Sequence, residues 1–185
     1  VVVGAGSFGE QKAQLFHAKN LGPKASYNLG LSQSSAEGFS SYNNQNGNAY
    51  ERDGYHRHSV MGNFHFELSQ NHLLDARVQV LGLKSETDDS AGDTGNNFSK
   101  NKSWMSSLKL SSYLGDISES LLEVQAAEFD RFDLYTNGSF KSDNRGGLFK
   151  LSYQNNLLWS PSFITTLGAE AEKEKMYSKS GAVDK

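Results

Sequence analysis

The run "VMGNFHFELSQNHLLDARVQVLG", residues 60–82, alternates apolar and polar side chains, breaks at a short polar turn, then alternates again. Side chains two positions apart in an extended chain project to the same face, so this spacing predicts a β-hairpin with one apolar and one polar face. Val60, Gly62, Phe64, Phe66 and Leu68 share one phase; Met61, Asn63, His65 and Glu67 share the other. Beyond the turn Leu74, Ala76, Val78 and Val80 oppose Asp75, Arg77 and Gln79.

The pattern recurs and predicts about eight strands, at residues 7–19, 25–34, 57–69, 73–84, 103–114, 117–129, 148–155 and 162–172. Their lengths cluster near the ~9–11 residues that a tilted membrane-crossing strand needs. Short and long connections alternate along the chain. The short ones are "NLGPK", "QNH", "GD" and "NLLWSP"; between them run "SAEGFSSYNNQNGNAYERDGYH", "SETDDSAGDTGNNFSKNK" and "DRFDLYTNGSFKSDNRGG". An up-and-down sheet with tight turns at one end and long loops at the other produces this alternation, and outer-membrane barrels are built that way. The final run, "EKEKMYSKSGAVDK", reads as the start of a fourth long loop.

The two phases differ in charge. Tyr27, Leu29 and Leu31, then Val60 to Leu68, Leu74 to Gly82, Leu108 and Leu110 fall on the apolar phases. So do Leu122, Val124, Ala126, Phe149, Leu151, Tyr153, Phe163, Leu167 and Ala169, and no charge interrupts them. Opposite lie Asn28, His65, Glu67, Asp75, Arg77, Lys109, Glu119, Glu123, Gln125, Lys150 and Glu170. An Arg or Lys on a lipid-facing position at mid-bilayer costs ~2–4 kcal/mol, which gives the exclusion a physical cause. Tyr27, Phe66, Tyr153 and Phe163 near the short turns suit one interfacial aromatic girdle, and Trp104 suits the other. A soluble antiparallel barrel or sandwich also alternates, with its apolar phase turned inward. Charges of both signs on the polar phase, with very unequal loops, favour the membrane reading.

Composition excludes other classes. Net charge is −3, so there is no basic footprint for nucleic acid, and with no cysteine neither a disulfide framework nor a thiolate metal site exists. No apolar run approaches the ~20 residues of a transmembrane helix. Serine is plentiful, but no Gly-x-Ser-x-Gly or ordered Ser/His/Asp set points to an enzyme.

Several segments resemble the barrel of TonB-dependent outer-membrane receptors. The opening "GAGSFGEQKAQLFHAKN", with Gly6, Ser7, Phe8 and Gly9, looks like that family's entry from plug into barrel. The run "YNLGLSQSSAEGFSSYN" resembles its second strand, and "NAYERDGYHRHSVMGNFHFELSQNH" its return strand. The nearest likeness is to the cobalamin-transporter type, through "ERDGY" at residues 51–55. The resemblance, over roughly residues 4–172, implies an all-β, antiparallel transmembrane β-barrel. Residues 1–185 would then be one barrel region, the first strands of a 22-stranded wall, with the plug domain and remaining strands lying elsewhere. It further implies location in the outer membrane of a Gram-negative bacterium, contact with lipid, a plug and TonB, and energised uptake of a corrinoid or ferric siderophore. A small closed eight-stranded structural or adhesive barrel and a soluble ligand-binding barrel remain the alternatives.

Two sets of candidate site residues follow. Glu86, Asp88, Asp89 and Asp93 cluster carboxylates in one glycine-rich loop, the donor type that calcium takes, and the resemblance supplies a precedent for calcium-ordered loops. Tyr42, Tyr50, Tyr55, Phe132 and Tyr135 lie in or beside the long loops, placed to contact a planar or amphipathic nutrient. His56 and His58 share a strand face while Arg57 points away, and no third ligand accompanies them.

Overall fold

Nine antiparallel strands form a single sheet in the order β1 to β9, each hydrogen-bonded only to its neighbours in the chain. The computed structural model describes residues 1–39, 52–87, 97–135 and 140–182. The strands are β1 (Val2–Ala5), β2 (Gln11–Asn20), β3 (Ala25–Ala36), β4 (Tyr55–Ser69), β5 (His72–Glu86), β6 (Phe98–Leu114), β7 (Ser118–Tyr135), β8 (Phe140–Ser160) and β9 (Phe163–Ala182).

The tight turns at one end have local causes. Gly22 and Gly115 take positive φ, 128° and 62°, where a Cβ would be strained. At the β4–β5 and β8–β9 turns Ser69 and Ser160 hydroxyls accept the backbone N–H of Asn71 and Ser162, and each turn carries a register shift, at Glu67/Ser69 and Leu158/Ser160. Both prolines, Pro23 and Pro161, sit in such turns, where no ladder hydrogen bond is lost.

Several sequence expectations are corrected. A short β1 precedes the first expected strand, and Ser7–Gly9, expected as strand, is a 3-10 turn. There Phe8 adopts φ 59°, and its carbonyl accepts the N–H groups of Glu37 and Gly38. Strand also continues into runs expected to be loop, so that β6 begins at Phe98, β7 reaches Tyr135, β8 begins at Phe140 and β9 extends to Ala182. These extensions mix charged with apolar residues on one phase, Lys100 with Phe98 and Asp130 with Phe132 and Leu134, so hydrophobic alternation fades there while the backbone ladder carries on. Cross-strand and same-face polar pairs replace apolar ones: Ser178 donates to Asn144 at 2.6 Å, Asn144 to Ser142 at 2.7 Å and Arg131 to Asp133 at 2.9 Å. That last hydrogen bond, with the Asp133 charge, raises the Arg131 guanidinium above its ordinary value.

No hydrophobic side chain among the described residues is buried. Leu108 is 47% exposed, Phe149 52% and Leu167 59%. The chain exposes 12694 Å², against roughly 8,800 Å² expected for a compact monomer of this mass. The sheet is one layer with an uncovered apolar face.

The absence of cysteine gives a clean test of the extended register, which sets Leu134 opposite Lys141. A Leu134→Cys/Lys141→Cys variant should form an intramolecular disulfide on mild oxidation, read as a 2 Da mass loss. Leu134→Cys with Ser142→Cys, whose side chains point to opposite faces, should keep both thiols.

Candidate functional site

The register aligns the apolar phases of successive strands into one continuous band. Leu29 lies beside Gly62, Gly62 beside Val78, Val78 beside Ser106, Ser106 beside Ala126 and Ala126 beside Phe149. Neighbouring rows bring together Phe66, Leu74, Leu110, Leu122, Tyr153 and Ala169. No charged residue falls within this band from Ala25–Leu31 on β3 across to Leu167–Ala171 on β9.

Amphipathic aromatics mark its borders, each with its polar atom engaged. On the tight-turn side Tyr27 Oη lies 3.1 Å from His17 Nδ1, Tyr153 Oη 3.4 Å from Ser120 Oγ, and Trp159 Nε1 donates to Thr165 Oγ1 at 3.0 Å. On the loop side Trp104 Nε1 donates to Glu128 Oε2 at 2.9 Å. An apolar ring with a satisfied polar tip suits a boundary between dry and wet surroundings.

The opposite face carries a polar groove of about 840 Å³ lined by Asn28, Asn63, His65, Asp75, Arg77 and Lys109, bordered on its loop side by a mostly apolar row that includes Met61, Met105 and Leu148. Arg77 Nε donates to Asn63 Oδ1 at 2.8 Å, and Asn63 Nδ2 to Asn28 Oδ1 at 2.7 Å. His65 Nδ1 lies 2.8 Å from Asp75 Oδ1, and Lys109 Nζ 4.0 Å from the other Asp75 oxygen. Further along, Lys150 pairs with Glu170 at 2.8 Å and Glu172 at 3.9 Å. The arrangement is a hydrated lattice of mixed charge, suited to contacting water, polar solutes or a polar protein surface.

The candidate ligand residues do not form one site. Tyr55 and Tyr135 occupy the polar face at the loop end, three strands apart, a lateral gap of roughly 14 Å at ~4.8 Å per strand. Phe132 lies on the other face, its ring centroid 6.0 Å from that of Phe98. Tyr42 and Tyr50 fall outside the described residues, as do Asp88, Asp89 and Asp93 of the calcium set. Glu86, the set's remaining member, is engaged elsewhere: Oε1 pairs with Lys84 Nζ at 3.1 Å, and Oε2 accepts the Gly54 N–H at 3.2 Å. No group of three His, Cys, Asp or Glu side chains among the described residues is arranged to hold a metal ion.

One cluster escaped the sequence reading. Lys84, Lys100, Lys102, His56 and His58 share the apolar band's face just beyond its loop-side border, beside Phe98. Its signal was "KNK", whose lysines two apart share a face once residues 100–102 are strand. Compared with known proteins, the chain matches no family profile and no curated sequence.

The polar lattice is half exposed, so its ion pairs are individually weak. A double-mutant cycle of His65→Ala and Asp75→Ala should return a coupling of about 0.2–1 kcal/mol in denaturant unfolding. A coupling of several kcal/mol would show a far drier face.

Proposed function

We propose that this chain forms part of the wall of an outer-membrane β-barrel, its apolar band toward lipid and its polar face toward an aqueous lumen. The observation carrying this reading is a single-layer sheet with a continuous uncharged band and no buried hydrophobic side chain among the described residues. In water that band would remain uncovered, and exposed apolar patches much above a few hundred Å² are rare on soluble monomers. The polar face bears the groove, which weighs against a soluble barrel with an apolar interior.

The sheet's edges bear on barrel size. In an up-and-down order of nine strands, β1 and β9 run in the same direction. Closure between them would be parallel and would set 4 residues against 20. Closure of β9 on β2 instead meets β1, already paired along Gln11–Gln14. An unpaired backbone group in hydrocarbon costs several kcal/mol, so a wall left open along most of β9 would not persist there. These edges favour an arc of a wider wall, with further strands beside β9, over a small closed barrel.

Within that class, the segments resembling TonB-dependent receptors support a receptor for a scarce nutrient, a corrinoid or a ferric siderophore. Loops at the long end would capture the ligand. The mixed-charge lattice would face a plug domain, which TonB would displace to open the path. Ion pairs exposed on the polar face can exchange partners at little cost, which suits a surface that must release such a plug.

The band predicts opposite outcomes for neighbouring positions. Val78→Arg should destabilise the lipid-folded protein by about 2–4 kcal/mol, whereas Gln79→Arg, on the polar face, should cost under about 1 kcal/mol. Equal effects would overturn the orientation. Intact mass of the protein from outer-membrane fractions tests the wider wall: a value several times 20.3 kDa supports the receptor, and a value near 20.3 kDa overturns it.

A further inference from the structure

Where the apolar band ends on its loop side, the same face turns basic across β4, β5 and β6. Lys84 on β5 stands directly opposite Lys100 on β6, with His56 on the far side of Lys84 in the same row. The next row toward the band sets His58, Gly82 and Lys102 side by side. Directly opposed residues in an antiparallel pair hold their Cβ atoms ~4.5–5.5 Å apart, so facing lysines repel unless something answers their charge.

Among the described residues that charge is answered only in part. Both ammonium groups lean on one ring: Lys84 Nζ is 5.3 Å and Lys100 Nζ 4.8 Å from the Phe98 centroid, with the Phe132 ring packed behind. Glu86 pairs with Lys84 alone. Of the acidic side chains on this face, Asp130 stands directly opposite Lys102 with its Oδ1 3.9 Å from Arg145 Nε, Asp143 is held by Arg145 at 3.1 Å, and Glu128 accepts from Trp104. Lys100 and Lys102 are exposed and have no carboxylate within ion-pair distance among the described residues. Trp104 marks the band's edge one same-face position from Lys102.

We propose that His56, Lys84, Lys100 and Lys102 form a binding site for the phosphate of a membrane lipid headgroup. The inference rests on the membrane orientation proposed above. Set in a bilayer, the band would hold a lipid's chains and the basic rows would meet its headgroup. Charge complementarity names the occupant: clustered Lys beside an apolar face attracts anionic headgroups. A zwitterionic headgroup of the same size carries its own cation and would gain less.

The test uses the full-length protein with Trp104 as sole tryptophan, in phosphatidylcholine vesicles containing a minor fraction of phosphatidic acid. Brominated chains quench tryptophan on contact, and they are placed on one lipid at a time. Quenching by brominated phosphatidylcholine reports membrane entry; its absence would sink the orientation itself. Given entry, Trp104 should be quenched more by brominated phosphatidic acid than by equal brominated phosphatidylcholine, with an apparent preference of about tenfold. Lys100→Gln/Lys102→Gln should abolish that preference and leave phosphatidylcholine quenching unchanged, whereas Lys24→Gln, in the β2–β3 turn, should keep it. Equal quenching by the two lipids, or an undiminished preference in the double variant, overturns the proposal while leaving the orientation standing. Loss of the preference in millimolar inorganic phosphate would also overturn it, placing the affinity in free phosphate rather than a lipid.

Discussion

The backbone ladder is the constraint on which everything else rests. A one-layer sheet has no core to bury, so its cohesion comes from hydrogen bonds running unbroken from β1 to β9. A backbone polar group left unpaired away from water is costly, and a sheet is one of two ways to pair every group. Once the ladder is complete, side chains on each face are free to match what lies against that face. One face can then shed all charge over its middle while the other carries Asp75, Arg77, Lys109, Glu123 and Lys150 in adjacent rows.

The two faces are stabilised by different physics. On the polar side, networks such as Arg77–Asn63–Asn28 knit strands together with neutral and charge-assisted bonds, each modest in a wet groove. On the apolar side close packing sets the shape locally. A Cβ on Gly62 would meet Leu29 and Val78 at 3.3 Å, so those branched side chains already fill its place between strands. At the upper border the His58 ring lies over Gly82 so closely that a Cβ would sit 2.3 Å from it. Glycine there admits an imidazole flat against the sheet.

The middle of each strand was legible in the sequence, because period two is strongest where one face excludes charge. Val60 to Gly82 identified its hairpin, its turn and its two faces correctly. The outer reaches were not, since "DRFDLY" sets Asp130 on the phase of Phe132 and Leu134, and "FKSDNRGG" beyond Phe140 is polar or glycine on both phases. That error propagated to the candidate site. Phe132 and Tyr135 read as neighbours in a loop; on a strand, an odd separation sends them to opposite faces. β1 was invisible because four residues of "VVGA" carry no alternation. Asp88, Asp89 and Asp93 lie outside the described residues, so the acidic loop stays an expectation from composition.

The unequal strands have a consequence for the rim. On β3 the stretch between the band's last apolar residue, Leu31, and the strand's end at Ala36 is short; on β9 the corresponding stretch, Ala171 to Ala182, is more than twice as long. At ~3.3 Å per residue these are about 17 Å and about 36 Å of wall. Set in a bilayer, the rim would therefore slope, low at β3 and β4 and high at β8 and β9. Along the strands alone, the wall would stand about 19 Å taller on one flank than on the other, so its two faces would extend unequally beyond the apolar band.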